Sequence, residues 1–161
     1  MYIASDFELR SASINEVNKI QKLIHRTIDI SYTEFYNSTG KDFSKMFHSI
    51  AAISDRMKFG NVLVVAEGDC IVATGASLGN KIFGVFVLPE KQRRGYGKTV
   101  MEALERLLKS QGIDKVILDI SLTSLDFYQS LGYVVTGETD LALEDGSHFK
   151  MFTAEKELGA I

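Results

Sequence analysis

Between Val87 and Thr99 the chain reads Val-Leu-Pro-Glu-Lys-Gln-Arg-Arg-Gly-Tyr-Gly-Lys-Thr. Four cations, Lys91, Arg93, Arg94 and Lys98, crowd around Gly95 and Gly97 in a chain whose net charge is −3. An apolar run, Ile82 to Val87, precedes the segment. An apolar stripe at helical spacing comes after it: Val100, Ala103, Leu104, Leu107 and Leu108. The predicted setting is therefore a strand end, a glycine-bearing loop and a helix start. A helix N-terminus carries unpaired amides and partial positive charge. Glycines let a ligand come close to the backbone. Strand-to-helix context and clustered cations together predict a phosphate or pyrophosphate site, where a lone Gly-x-Gly would predict only a solvated turn.

Two familiar phosphate loops do not fit. Gly97-Lys98-Thr99 could end a Walker A loop, but the glycine required five residues earlier is Gln92. Gly95-Tyr96-Gly97 could open a dinucleotide or kinase pattern, but the third glycine would fall at Val100.

Gln92-Arg93-Arg94-Gly95-Tyr96-Gly97 resembles the Gln/Arg-x-x-Gly-x-Gly/Ala signature of the GNAT superfamily of N-acetyltransferases, here preceded by Val85-Phe86-Val87-Leu88-Pro89. Phe127-Tyr128-Gln129-Ser130-Leu131-Gly132-Tyr133 resembles the family's later Phe-Tyr-x-x-x-Gly-Phe motif, with Tyr133 in place of phenylalanine. Both motifs lie in the C-terminal half. The segment from Ser31 to Gly60, which in the family usually shapes the acceptor site, matches only in outline.

The resemblance implies acetyl-coenzyme A as cosubstrate and a primary amine, on a small molecule or peptide, as acceptor. Carried over, the loop from about Arg93 to Lys98 holds the pyrophosphate, with Gln92 and Thr99 at the ends of the motif. It also implies a splay between two parallel strands, so that the amides of Phe86 and Val87 face the cofactor, and one of them stabilises the tetrahedral oxyanion. Tyr128 is the implied donor to the leaving thiolate. A phenol near pKa ~10 is protonated at neutral pH, and its ionisation would shape the alkaline limb of the rate profile. The alternatives are an aromatic packing patch for Tyr128 and, for the chain, a non-catalytic acyl-coenzyme A sensor.

The general base stays open among Glu34, Glu67, Asp119 and a water chain. Cys70 opens an apolar strand with no histidine or basic residue beside it, so it reads as a small buried hydrophobe. Direct transfer in a ternary complex is then expected rather than an acetyl-cysteine intermediate. His25, His48 and His148 lack metal-ligand spacing, and no metal is expected.

Periodicity supplies the scaffold for these groups. A strand at Phe7–Arg10 leads to a helix over 14–28, opened by Ser13 and Glu16 as a capping box. A loop over 31–40 and one helix over 42–57 come next. Strands are predicted at 62–66, 70–76 and 82–87, forming an antiparallel meander. Then come a helix after Pro89, a strand at 115–120, a short helix at 123–131, and strands at 133–141 and 149–155. The expected fold is mixed α/β in a single domain over 1–161. It has one central, mostly antiparallel sheet, about four flanking helices, and one parallel pair formed by a right-handed crossover.

The bulk numbers fit that picture. The 161 residues are 45% hydrophobic and 24% charged, enough for one core. The balance argues against nucleic acid as a partner, and no apolar run suits a membrane span. One cysteine and an N-terminus without a secretory pattern point to the cytoplasm. A homodimer is compatible with the sequence.

Overall fold

The structure is a computed structural model that describes residues 6–159. The Met1–Ser5 segment, on which the reading of the N-terminus partly rests, lies outside the described residues. Seven strands form one sheet in the order β1-β2-β3-β4-β5-β7-β6. They are β1 Glu8–Ser11, β2 Asn61–Glu67, β3 Cys70–Leu78, β4 Lys81–Val87, β5 Lys115–Ser121, β6 Val134–Ala142 and β7 His148–Glu157. Every pairing is antiparallel except β4 with β5. The helices are α1 Val17–Ser31, α2 Ser38–Met46, α3 Ile50–Phe59, α4 Tyr96–Ser110 and α5 Leu125–Ser130.

The N-terminal third departs from the sequence expectation. Glu16 accepts the Ser13 amide at 2.8 Å, as the capping pattern predicts. The turn it closes is 3-10, and the α-helix begins only at Val17. Ile14 therefore leaves the buried stripe and is 69% exposed. The stripe that remains holds Val17, Ile20, Leu23, Ile24 and Ile28. Each such fully buried aliphatic contributes about 1.5–3 kcal/mol. The single helix expected over 42–57 is two helices. Asn37 caps α2 by accepting the Gly40 amide, and Ser49 caps α3 by accepting the Ala52 amide. Ser49 thus competes with helix continuation and stops one helix to start another. The break between them, Phe47-His48-Ser49, puts His48 into the interior.

Strand alternation divides the core between the two sheet faces. Val64 and Ala76 pack with α1 and α3, while Val65 and Val72 pack with Val100, Leu104 and Leu108 of α4. Gly75 permits the close seat of α4: a Cβ there would lie 2.5 Å from Val100 Cγ1.

Two irregularities in β4 open the centre of the sheet. Between Thr74 and Ala76 the partner in β4 shifts from Phe86 to Phe83, so β4 carries one extra residue. Within that bulge Gly84 sits at φ +64°. On its other side β4 meets β5 only at Lys81 and Ile117. Beyond that pair the two parallel strands separate, which is the splay that the sequence resemblance implied.

Candidate active site

The loop after β4 is built to hold its backbone still. Pro89 opens a 3-10 turn, Pro89–Lys91. Glu90 binds Arg26 of α1 through both carboxylate oxygens, at 2.8 and 2.9 Å. Lys91 binds Glu67 at 2.8 Å, and the buried Tyr96 hydroxyl donates to the same carboxylate. These two bonds, that of Lys91 first, hold the Glu67 carboxyl below its usual pKa. Gln92 reaches back to the Val87 carbonyl at 3.0 Å and to Ser31 Oγ at 3.3 Å.

Two residues then enter the left-handed region, Arg93 at φ +64° and Gly95 at φ +88°. Left-handed residues in a turn can aim neighbouring amides into one concavity, the geometry of an anion-binding nest. For arginine that conformation costs about 1–2 kcal/mol. Gly95 serves as N-cap of α4. Arg93 gave no conformational signal in the sequence.

The groove in front of this loop has a volume of about 660 Å³. Lys91, Gln92, Arg93, Gly95, Tyr96, Gly97 and Lys98 border it, facing Phe127, Tyr128 and Thr123 across the splay. Arg94 and Thr99, both expected there, do not line it. The Thr99 hydroxyl is turned back onto the Gly95 carbonyl at 2.9 Å, as threonine commonly does inside a helix. Gly97 makes room for a side chain of the protein itself: a Cβ would lie 3.0 Å from Phe127 Cζ.

The end of β4 supplies the groove's other wall. Leu88 donates to the Val72 carbonyl at 2.9 Å, so the polar groups of residue 88 face β3. Alternation then turns the amide of Phe86 toward β3 as well, and those of Val85 and Val87 toward the splay. The sequence expectation placed the amides of both Phe86 and Val87 in the groove. By this alternation the amide of Val87 faces it and that of Phe86 does not, although Phe86 also lines the groove. Across the splay, Thr123 Oγ1 is buried without a hydrogen-bond partner, an orphan that sequence reasoning missed.

A second cavity, of about 410 Å³, opens on the other side of the splay. Tyr32, Val85, Phe86, Ser124 and Tyr128 line both cavities, so the two meet there. Tyr128 is 8% exposed. Its ring meets Phe127 and Tyr133 edge-on, and its hydroxyl makes no hydrogen bond among the described residues. Burial pushes its phenol well above the ordinary tyrosine range. It is therefore part of the aromatic packing and also carries a protonated hydroxyl at the junction. Tyr133 is engaged elsewhere, donating to Glu105 at 2.9 Å.

Of the three candidate carboxylates, Asp119 lines the second cavity, bound to Lys81 at 2.7 Å. Glu67 and Glu34 line neither cavity. Cys70 is exposed rather than buried and also lies outside both. It opens β3 next to a tight turn. The histidines are engaged separately: His25 with the His48 carbonyl, His48 with Arg56, and His148 with Asp140.

Residues 26–154 match the acetyltransferase (GNAT) domain family. The chain belongs to the GNAT acetyltransferase family. An uncharacterized acetyltransferase of Streptococcus pyogenes serotype M3 is 32% identical over 90 residues, 53% of this chain and 62% of that protein. The chain spans between 27% and 62% of the length of the first curated relatives it matches. Among solved structures, a GCN5-related N-acetyltransferase from Rhodopseudomonas palustris superposes with a TM-score of 0.87 at 19% identity, covering 98% of this chain and 99% of that one. An N-acetyltransferase from Thermoplasma acidophilum, solved with coenzyme A, gives 0.73 at 16% identity over 95% and 99%. At these identities the likeness is one of fold. No helix among the described residues is long and apolar enough to cross a membrane.

Proposed function

We propose that the chain transfers an acetyl group from acetyl-coenzyme A to a primary amine by direct attack in a ternary complex. The observation that carries this reading is the meeting of two cavities, one backed by the anion-binding loop, across a single tyrosine in the splay. The groove suits a long, anionic, amide-bearing cosubstrate. The loop at Arg93 and Gly95 takes its phosphates, and the Val87 amide takes its polar arm. A thioester carbonyl placed at Val87 receives a fixed N–H donor, which stabilises the oxyanion as charge develops. Tyr128 gives the departing thiolate a proton, and the protons that the attacking ammonium sheds recharge the phenol and pass to solvent. Its raised pKa keeps it protonated, so it acts as acid rather than base.

The second cavity admits the amine. Direct transfer is supported by the position of Cys70, outside both cavities and therefore unable to relay the acetyl group. Incubation with acetyl-coenzyme A and a panel of amines, read by free thiol release and by mass of the product, tests the proposal. Thiol release that requires the amine is expected. Tight coenzyme A binding with no transfer to any amine would instead favour an acyl-coenzyme A sensor.

A further inference from the structure

The second cavity contains a charge that the protein does not neutralise. Arg56 of α3 lines it and is 8% exposed. One amino group donates to His48 Nδ1 at 3.0 Å, the other to the Phe47 carbonyl, and the guanidinium lies 4.7 Å from the centre of the Phe83 ring. None of the described carboxylates pairs with it. Only two of its five donors are thus engaged. A buried cation without a counter-ion is costly, and a buried charge is normally paired.

The neighbours reinforce this. Arginine can only donate, so Nδ1 of His48 is the accepting nitrogen and Nε2 carries the hydrogen. That ring is then a second donor at the same end of the cavity. Gly84 leaves space for the guanidinium, since a Cβ there would lie 3.2 Å from Arg56 Nη1. Asp119 and Lys81, the other charged residues of the lining, bind each other. The cavity therefore keeps one net positive charge, within walls that include Phe47, Phe83, Phe149 and Met151. An acceptor bearing only an ammonium would meet repulsion and leave Arg56 unpaired.

We infer that the acceptor is an amine that also carries a carboxylate on an apolar frame, with the carboxylate bound by Arg56 and His48. The inference rests on the second cavity being the acceptor site. It names the class of amine that site selects.

The test uses matched acceptors with the wild-type protein: phenylalanine against phenylalaninamide and phenethylamine, and leucine against isoamylamine. At fixed acetyl-coenzyme A, the acids should show kcat/KM higher by tenfold or more, mostly through KM, since carboxylate binding is uniform across the reaction. Arg56→Gln should erase that preference, and Arg56→Lys should restore part of it. Equal use of acids and amides by the wild type would overturn the inference, whether or not the variants fold. Calorimetry with 3-phenylpropionate, which has no amine, separates this inference from the proposed reaction. Binding of 3-phenylpropionate with no transfer to any amine would support the carboxylate site and sink the N-acetyltransferase reading. Transfer to amines without carboxylate preference, and no 3-phenylpropionate binding, would sink the carboxylate site and leave the transferase standing.

Discussion

The groove behind the loop and the cavity behind Arg56 share five lining residues, yet they are made in different ways. One wall of the groove comes from a single short segment, Lys91 to Lys98 without Arg94, and its chemistry is mainly backbone: left-handed turns at Arg93 and Gly95, a helix N-terminus, and the Val87 amide. The cavity draws its lining from the α2–α3 turn, α3, β4, β5 and β7, and its chemistry is side chain. A backbone site tolerates change in most of its side chains but not in its path. A side-chain site depends on single residues held by distant elements. The two should therefore fail differently, and that difference can be tested.

The largest effect is expected where a side chain enters the groove. Gly97→Glu places a Cβ against Phe127 and a carboxylate beside the nest. Repulsion and the loss of two or so charge-assisted bonds, each about 1.5–3 kcal/mol, predict a drop in acetyl-coenzyme A affinity on the order of a thousandfold. Calorimetric titration measures it, with circular dichroism to check that the fold persists. Near-normal affinity in the folded variant would show that the loop does not hold the cosubstrate, and the contrast between the two sites would collapse.

Tyr128 stands at the junction and should behave as neither site alone. Tyr128→Phe removes a hydroxyl that has no hydrogen bond to lose, so the melting temperature should not fall. Turnover should fall on the order of a hundredfold, at the low end of general-acid catalysis. The pH profile sharpens the point. An unperturbed phenol would ionise near ~10 and draw an alkaline limb there. Burial raises this one, so the donor stays protonated throughout the accessible alkaline range. Wild type and variant should therefore share the same alkaline limb and differ by a constant factor. Unchanged turnover would leave Tyr128 as packing alone.

These contrasts also explain what is legible in the sequence. The loop and the Tyr128 motif are legible because each depends on residues close together in the chain, and the parallel pair because a helical pattern separates its two strand patterns. Gly95 needs its left-handed turn, and its type announces it. Arg93 adopts the same conformation without any local mark, because Lys91, Gln92 and Glu90 fasten the loop on either face and leave it no alternative path. Gly97 is legible as a place where bulk is excluded, but the excluded neighbour is Phe127, thirty residues on. Arg56 is illegible. On a half-buried helix an arginine reads as solvated, and only the break at Phe47-His48-Ser49 and the bulge at Gly84 bring a carbonyl, an imidazole and a gap to it. Each leaves one mark in the sequence, Ser49 as a helix cap and Gly84 inside a strand, but hydrophobic periodicity runs across both. The single helix predicted over 42–57 hides the break, and the even strand predicted over 82–87 hides the bulge.

The smallest effect is a change in stability rather than activity, and it bears on whether the inner end of the cavity is dry. Burial, with Arg56 and then His25 adding repulsion, pulls the His48 pKa from 6.5 down to about 3. The native protein thus keeps this ring neutral in mild acid, while the unfolded chain takes up a proton below about 6.5. Where the unfolded state binds more protons, stability rises with pH. The contribution of His48 is therefore whole above pH ~6.5 and is lost as the pH falls toward 3, at up to ~1.4 kcal/mol per unit. Between pH 6.5 and 5 the loss should approach ~2 kcal/mol, before the carboxylates with lowered pKa values, Glu16 and Asp145 at about 2, begin to matter. Urea unfolding across that window measures it in the wild type and in His48→Asn, whose carbonyl oxygen can still accept from Arg56. The variant should lose most of the slope. A wild-type slope no steeper than that of the variant would mean that His48 protonates freely in the folded state. The inner end of the cavity would then be wet, and Arg56 would be stabilised by solvent rather than waiting for an acceptor's carboxylate.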